Sequence, residues 1–222
     1  VRLRRCRGRL GLVAAVILLM LLTSGCIGTV DRADFEQVVH QRGGGLVSSL
    51  PAGAIAALRQ RLGTPGLQAV VVLLTSPDSS GFRLEVPDQP AQVTSYLDDN
   101  PDLASPDAVV HLRIAVPSRP GEFDDYSYAN GVLGSSTPVR VSASSGPDDE
   151  TFSLADVPVL GKIEGIVDSA LAHSGSEGGY VSSILVNRYG ADVLVTVQVT
   201  APRSISVVRF DRTGAFLGIQ QA

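Results

Sequence analysis

Apolar and polar positions follow two rhythms along this chain, and the rhythm changes at glycine, proline and asparagine. Ile55, Leu58 and Leu62 recur at helical spacing after Ser49 and Pro51, and Gly63 follows, so the pattern predicts a helix capped by Ser49 and stopped by glycine. Leu67 to Thr75 is an apolar, β-branched run between Gly66 and Pro77, which predicts a buried strand. Ala108 to Val116 alternates Val110, Leu112 and Ile114 with His111, Arg113 and Ala115. The first set is expected to face the core and the second to face outward. Asp125 to Leu133 reads as a hairpin turning at Asn130-Gly131.

A similar plan returns further on. Ser153 is the expected N-cap of a helix whose apolar stripe is Leu160, Ile163, Val167, Ala170 and Leu171, ending at Gly175. Strands are expected at 180–189, 192–200 and 204–210, with Asp211-Arg212-Thr213-Gly214 turning into 215–219. Asp107–Pro117 aligns with Asp192–Pro202 at a constant offset, 192 − 107 = 85. An internal duplication is the economical reading, although any two antiparallel strands with one solvated face share this alternation. The expected fold is α+β: two repeated helix-plus-antiparallel-meander modules, with the helices packed on sheet faces. Residues 49–147 form the first module and 148–222 the second. Within the first, residues 76–106 hold five prolines, six acids and one arginine, and read as a surface excursion with a short strand at 82–86 and a helical turn at 92–98.

The amino-terminal stretch has a different character. Arg2, Arg4, Arg5, Arg7 and Arg9 precede thirteen uncharged residues from Leu10 to Leu22, followed by Thr23, Ser24, Gly25 and Cys26. A basic region, an apolar run and small residues make residues 1–25 an export signal. The run is short of the roughly 20 residues that span a bilayer; a retained anchor, with the run extended through Gly28, is the alternative. Leu22-Thr23-Ser24-Gly25-Cys26 resembles the lipobox of bacterial lipoproteins, with the leucine one place earlier than in its commonest form. The resemblance implies diacylglyceryl transfer to the Cys26 thiol, cleavage before it, and lipid (palmitate-type) anchoring at the extracytoplasmic face of the cell membrane. Two acyl chains anchor stably where one does not. Residues 26–48 then carry the anchor and a short helix capped by Asp31, with Phe35, Val38 and Val39 on one side and Gly43-Gly44-Gly45 at its end.

Removing residues 1–25 leaves 13 basic and 22 acidic residues, a net charge of 13 − 22 = −9. That balance argues against nucleic-acid binding, which needs clustered cations. Cys6 lies in the signal and Cys26 takes the lipid, so no cysteine remains for a disulfide, a thiol nucleophile or a thiolate metal site. His40, His111 and His173 fall at no ligand spacing, and Gly175-Ser176-Glu177-Gly178 is one residue short of a nucleophile elbow. No catalytic residue, metal or cofactor is therefore expected. Asp98-Asp99-Asn100-Pro101-Asp102 opens like a calcium loop, but Leu103 and Val109 stand where glycine and the closing glutamate belong, so a solvated turn is expected. Tyr126 and Tyr128 share one side of their strand. With Tyr96, Asp98, Asp99 and Asp102 they form the candidate binding surface; ordinary packing of the aromatics is the alternative.

The helix-before-strands order and the Asp211-x-x-Gly214 turn resemble a PepSY-like module; the first copy, Tyr128-Ala129-Asn130-Gly131, lacks the aspartate. With Lys162 the one lysine among eighteen basic residues, the chain also looks like actinobacterial, mycobacterial-type lipoproteins. Neither resemblance implies an activity, though the first hints at protease regulation. The expected role is a noncatalytic, membrane-anchored binding or scaffolding lipoprotein of the cell envelope, engaging an envelope protein. The alternative is a carrier of lipid or glycolipid in an apolar cavity between sheet and helices. A hydrolase would need an acid, a base and a nucleophile that no local motif supplies.

Overall fold

A computed structural model describes residues 45–77, 79, 89–139 and 147–221. The expected export signal, Cys26, the helix expected after it and the strand expected at 82–86 lie outside these residues. Helix α1 (Ser49–Leu62) ends where Gly63 adopts φ 64° and its N–H reaches the Arg59 carbonyl, a conformation that costs glycine little. It leads into β1 (Gln68–Thr75), α2 (Ala91–Asp99), β2 (Val109–Ala115) and β3 (Phe123–Ala129). Asn130 and Gly131, at φ 51° and 80°, turn β3 into the short β4 (Val132–Leu133), as an Asn-Gly hairpin requires. Two further short strands, β5 (Thr137–Pro138) and β6 (Phe152–Ser153), precede α3 (Ile163–Ser174). The chain closes with β7 (Tyr180–Tyr189), β8 (Asp192–Ala201), β9 (Ser204–Asp211) and β10 (Phe216–Gln221).

These strands do not divide into two repeated modules. They form one ten-stranded antiparallel sheet in the order β10-β9-β8-β7-β1-β2-β3-β4, with β5 added to β3 and β6 to β1. The two-module expectation is overturned at the β1–β7 ladder, where Val71 to Thr75 pair with Asn187 to Ser183 and fuse both meanders. Beyond the expected boundary, Phe152 still pairs with Ala69 of β1. Alternation along a hairpin identifies its core face, but carries no information about which distant strand lies at its edge. The α+β class stands, in a sheet-dominated form.

One apolar layer lies between the sheet and two helices. It runs unbroken from Leu112 and Tyr126 through Val72 and Ile184 to Val197 and Phe210. Helix α1 covers its β2–β4 end and α3 its β7–β9 end. A smaller apolar group on the other face joins Val70, Val71, Leu73, Phe123 and Leu185 to Val93 and Tyr96 of α2. Strand β1 serves both layers because alternate residues face opposite sides and both sides are covered, so the run reads as continuously apolar. A bulge against β2 between Ala69 and Val71 turns Val70 and Val71 to the same side.

The second helix departs from its expected start. Ser153 does cap, accepting from Ala155 N at 3.3 Å, but what it caps is a single 3₁₀ turn, Leu154–Asp156. Helix α3 takes its cap from Ser48, 115 positions upstream: Ile163 N donates to Ser48 Oγ at 2.9 Å. Glu164 closes the arrangement, accepting from Ser48 N at 2.9 Å and from the Ser48 hydroxyl. This is a capping-box arrangement assembled from two distant stretches of the chain. The Ser48 hydroxyl, and then its N–H, hold the Glu164 carboxyl below the usual carboxylate range.

Candidate functional site

Arg113 is the largest fully buried side chain among the described residues, at 0 % exposure. Strand alternation sends it away from the apolar layer, to the face that α2 covers. Its Nε donates to Asp125 Oδ1 and its Nη2 to Asp125 Oδ2, both at 2.8 Å, a two-point grip from the neighbouring strand. Helix α2 adds Asp99 Oδ2 at 2.9 Å from Nη2 and Ser95 Oγ at 3.2 Å from Nη1. The Tyr96 ring lies with its centroid 5.2 Å from the guanidinium carbon, within cation–π range. Burial works against the charge of Arg113, but the hydrogen bonds and charges of Asp125 and Asp99 outweigh it and raise the guanidinium's affinity for its proton. Burial, then the Asp125 charge, also pushes the Tyr96 phenol up. The amino end of α2 is held by a distant acid as well, since Gln92 N donates to Glu150 Oε2 at 3.0 Å.

The expected binding surface is distributed quite differently. Tyr96 is 2 % exposed on the α2 side, whereas Tyr126 and Tyr128 pack on the opposite side against the α1 layer. The three rings therefore form no common patch, and packing accounts for all of them. Tyr128 reaches α1 so closely that a Cβ at Gly53 would lie 2.8 Å from its Cζ. Asp99 turns to Arg113, Asp102 Oδ1 accepts from Ala104 N at 3.1 Å, and Asp98 is exposed. The acidic run thus ends α2 without converging. Arg113 and Asp125 were hidden in the sequence by their positions in ordinary strands; the signal available was an arginine and an aspartate in strands flanking an acid-tipped helix.

Next to this cluster, His111 Nε2 lies 3.3 Å from Thr75 Oγ1, and burial lowers the imidazole to about 4. Thr75, Ser183 and Gln198 follow in register across β1, β7 and β8. Ser183 Oγ and Gln198 Oε1 are buried with no hydrogen-bond partner among the described residues. Neutral polar groups of this kind can orient a hydrogen-bonding ligand but cannot drive acid–base chemistry by themselves.

The far edge of the sheet is built on Asp211. Its Oδ1 accepts from Thr213 N at 2.8 Å, Thr213 Oγ1 at 2.7 Å and Ala215 N at 2.9 Å. Those bonds, led by the Thr213 hydroxyl, lower its pKa and so hold the carboxylate ionised in the turn. Gly214, at φ 95°, sits where a Cβ would meet Ile166 Cδ1 at 3.1 Å and Val159 Cγ2 at 3.2 Å. Strand β10 follows as the edge, carrying exposed Phe216, Leu217 and Ile219 at 41 %, 56 % and 42 %. Phe216 stacks on the His173 ring at 3.9 Å.

This arrangement defines an α+β unit built on one antiparallel sheet, with a buried ionic cluster under a short helix and an apolar edge strand. No family model and no curated protein matches the chain. Among solved structures, a candidate lipoprotein of Clostridium difficile 630 is similar at 8% identity and a TM-score of 0.48, covering 84% of this chain and 99% of that one. A likeness at that level transfers neither fold nor role. The lipoprotein reading of this chain therefore rests on Arg2 to Cys26, and the PepSY-like and actinobacterial resemblances gain no support.

Proposed function

We propose that the chain is a lipid-anchored lipoprotein on the extracytoplasmic face of the cell membrane, whose folded unit is a noncatalytic binding or scaffolding module of the envelope. The observation that carries this reading is the order of basic residues, apolar run and small residues that ends at Cys26. What supports the noncatalytic part is that three of the perturbed ionisable groups have structural tasks: Arg113 clamps α2, Glu164 caps α3 and Asp211 shapes a turn. The exposed acids at the end of α2, Asp98 and Asp102, offer a polar surface to an envelope protein.

A lipid or glycolipid carrier is the second reading. It ranks lower because the layer between helices and sheet is filled by the chain's own side chains, among them Leu58, Ile163 and Ala170, all fully buried. Metabolic labelling with palmitate tests the anchor: the protein is expected to incorporate label, and Cys26→Ala to lose it and leave the membrane fraction. An unlabelled product, or a Cys26→Ala variant that fractionates unchanged, removes the reading. Solvent extraction of the purified protein is expected to release no lipid beyond the anchor; a stoichiometric lipid would favour the carrier.

A further inference from the structure

We infer that the β9–β10 edge is the membrane-facing surface of the folded unit, laying Phe216, Leu217 and Ile219 into the interface of an anionic bilayer with Arg203, Arg209 and Arg212 at its phosphates. The inference rests on the lipid-anchor reading and deepens it by naming the face that meets the lipid.

Two observations converge. The first is the edge itself. An edge strand with exposed apolar side chains and unpaired backbone groups is a liability that folds usually cover or mark with charge. Strand β10 carries neither lysine nor proline, and no charged residue occurs from Thr213 to Ala222.

The second is charge. Residues 26–222 carry 13 − 22 = −9, yet residues 180–222 hold four arginines against Asp192 and Asp211, 4 − 2 = +2, so the remaining 26–179 carry −11. Basic residues stand at both ends of the apolar strand, Arg212 in the turn before β10 and Arg203 before the β9 residues that pair with its end, while Arg209, in register with Gly218, projects from the sheet face opposite Phe216 and Ile219. Arg209 Nη2 lies 3.4 Å from Gln220 Oε1 on that strand. Asp211, in the same turn, uses Oδ1 for the turn's hydrogen bonds and stays ionised, so it offsets one of the three arginine charges. An apolar strip bordered by arginines matches a bilayer interface, where rings and aliphatic groups sit at headgroup depth and cations meet anionic lipids.

The test uses the full chain, lipidated in cells and reconstituted into phosphatidylcholine vesicles with or without phosphatidylglycerol. Cys6 leaves with the signal and Cys26 is acylated, so Leu217→Cys and Val132→Cys each give one thiol for an environment-sensitive fluorophore; Val132 is exposed at the opposite edge of the sheet. Spin-labelled lipid is expected to quench the label at 217 in anionic vesicles and to leave the label at 132 bright. High salt, or Arg203, Arg209 and Arg212 each changed to Gln, is expected to abolish that quenching. The inference is overturned if 217 stays as bright as 132, if it is quenched equally without phosphatidylglycerol, or if it is shielded from water yet unquenched, the signature of a second copy or another protein on the edge. Protein that floats with vesicles while 217 stays bright defeats the inference alone; protein that neither floats nor incorporates palmitate defeats the anchor reading.

Discussion

The two sides of β2 bury side chains of opposite chemistry. Val110, Leu112 and Ile114 enter the apolar layer under α1, while Arg113 lies equally buried under α2 among Asp99, Asp125 and Ser95. On the first side the loss of one group leaves a void; on the second it leaves an unpaired charge. Arg113→Ala is therefore expected to destabilise the fold by about 3–5 kcal/mol, chiefly because Asp125 is left without its partner. Leu112→Ala, on the other side, costs about 2–5 kcal/mol through lost transfer energy and a cavity. What separates the two sides is rescue. Arg113→Met combined with Asp125→Leu and Asp99→Asn is expected to recover most of the loss, since a packed apolar replacement for an ion cluster is often neutral. Urea midpoints of the four proteins decide it; a triple variant as unstable as Arg113→Ala would show that the ions are needed for α2 to dock at all.

That contrast also explains what the sequence could show. Alternation located β2, β7, β8 and β9 to within a residue and β3 to within two, and Gly63, Asn130-Gly131 and Gly175 marked real turns and helix ends. Those signals are local. The acid- and proline-rich segment around α2 read as a surface excursion because its prolines and acids outweigh its scattered apolar residues, and nothing nearby announced that Val93 and Tyr96 pack against the sheet beside Arg113. The Ser48 cap and the β1–β7 ladder were invisible for the same reason: each joins residues more than a hundred positions apart. Of the candidate surface residues, only Tyr96 and Asp99 meet in one cluster, and they meet around an arginine that alternation had turned outward.

His111 sharpens the comparison by pH. It shares the Arg113 side of β2, and burial lowers its pKa to about 4 from an unfolded value near 6.5. Protonation then favours the unfolded chain. Stability is expected to be flat in this respect above pH ~6.5 and to fall as pH drops towards 4, by an upper limit of about 3 kcal/mol. His111→Gln should remove that part of the slope, whereas Leu112→Ala should lower stability at every pH alike. Equal slopes for His111→Gln and the wild type between pH ~7 and ~5 would mean that solvent reaches the ring.

On the α1 side the sensitive point is a gap filled from outside the helix. Alanine is the better helix former by about 1 kcal/mol, so Gly53→Ala in an isolated α1 would stabilise it. In the fold, the new Cβ meets the Tyr128 ring, 2.8 Å from Cζ. Overpacking of this sort costs about 1–3 kcal/mol, so the net effect is expected to be a loss of about 1 kcal/mol. Tyr128→Leu in the same chain should return the sign to that of the isolated helix. A stabilising Gly53→Ala would show that Tyr128 swings aside without cost.

The smallest effect tests the link between the two ends of the chain. Ser48→Ala removes the acceptor for Ile163 N and one donor to Glu164, and caps of this kind are worth about 1 kcal/mol. Glu164 titrates below its ordinary range because Ser48 holds its ionised form, so this stabilisation is present above the unfolded carboxylate pKa, near ~4.3, and is lost as pH falls through the lower folded value. Ser48→Ala should therefore cost most at neutral pH, and its difference from wild type should shrink in acid. Glu164→Gln should reproduce the acid behaviour at all pH values while leaving the Ile163 bond in place, so its loss is the smaller of the two. Since Ser48 is where the tethered segment joins α3, hydrogen exchange in Ser48→Ala should open the start of α3 before any strand of the sheet; protection lost first in β10 would place the weak point at the exposed edge instead.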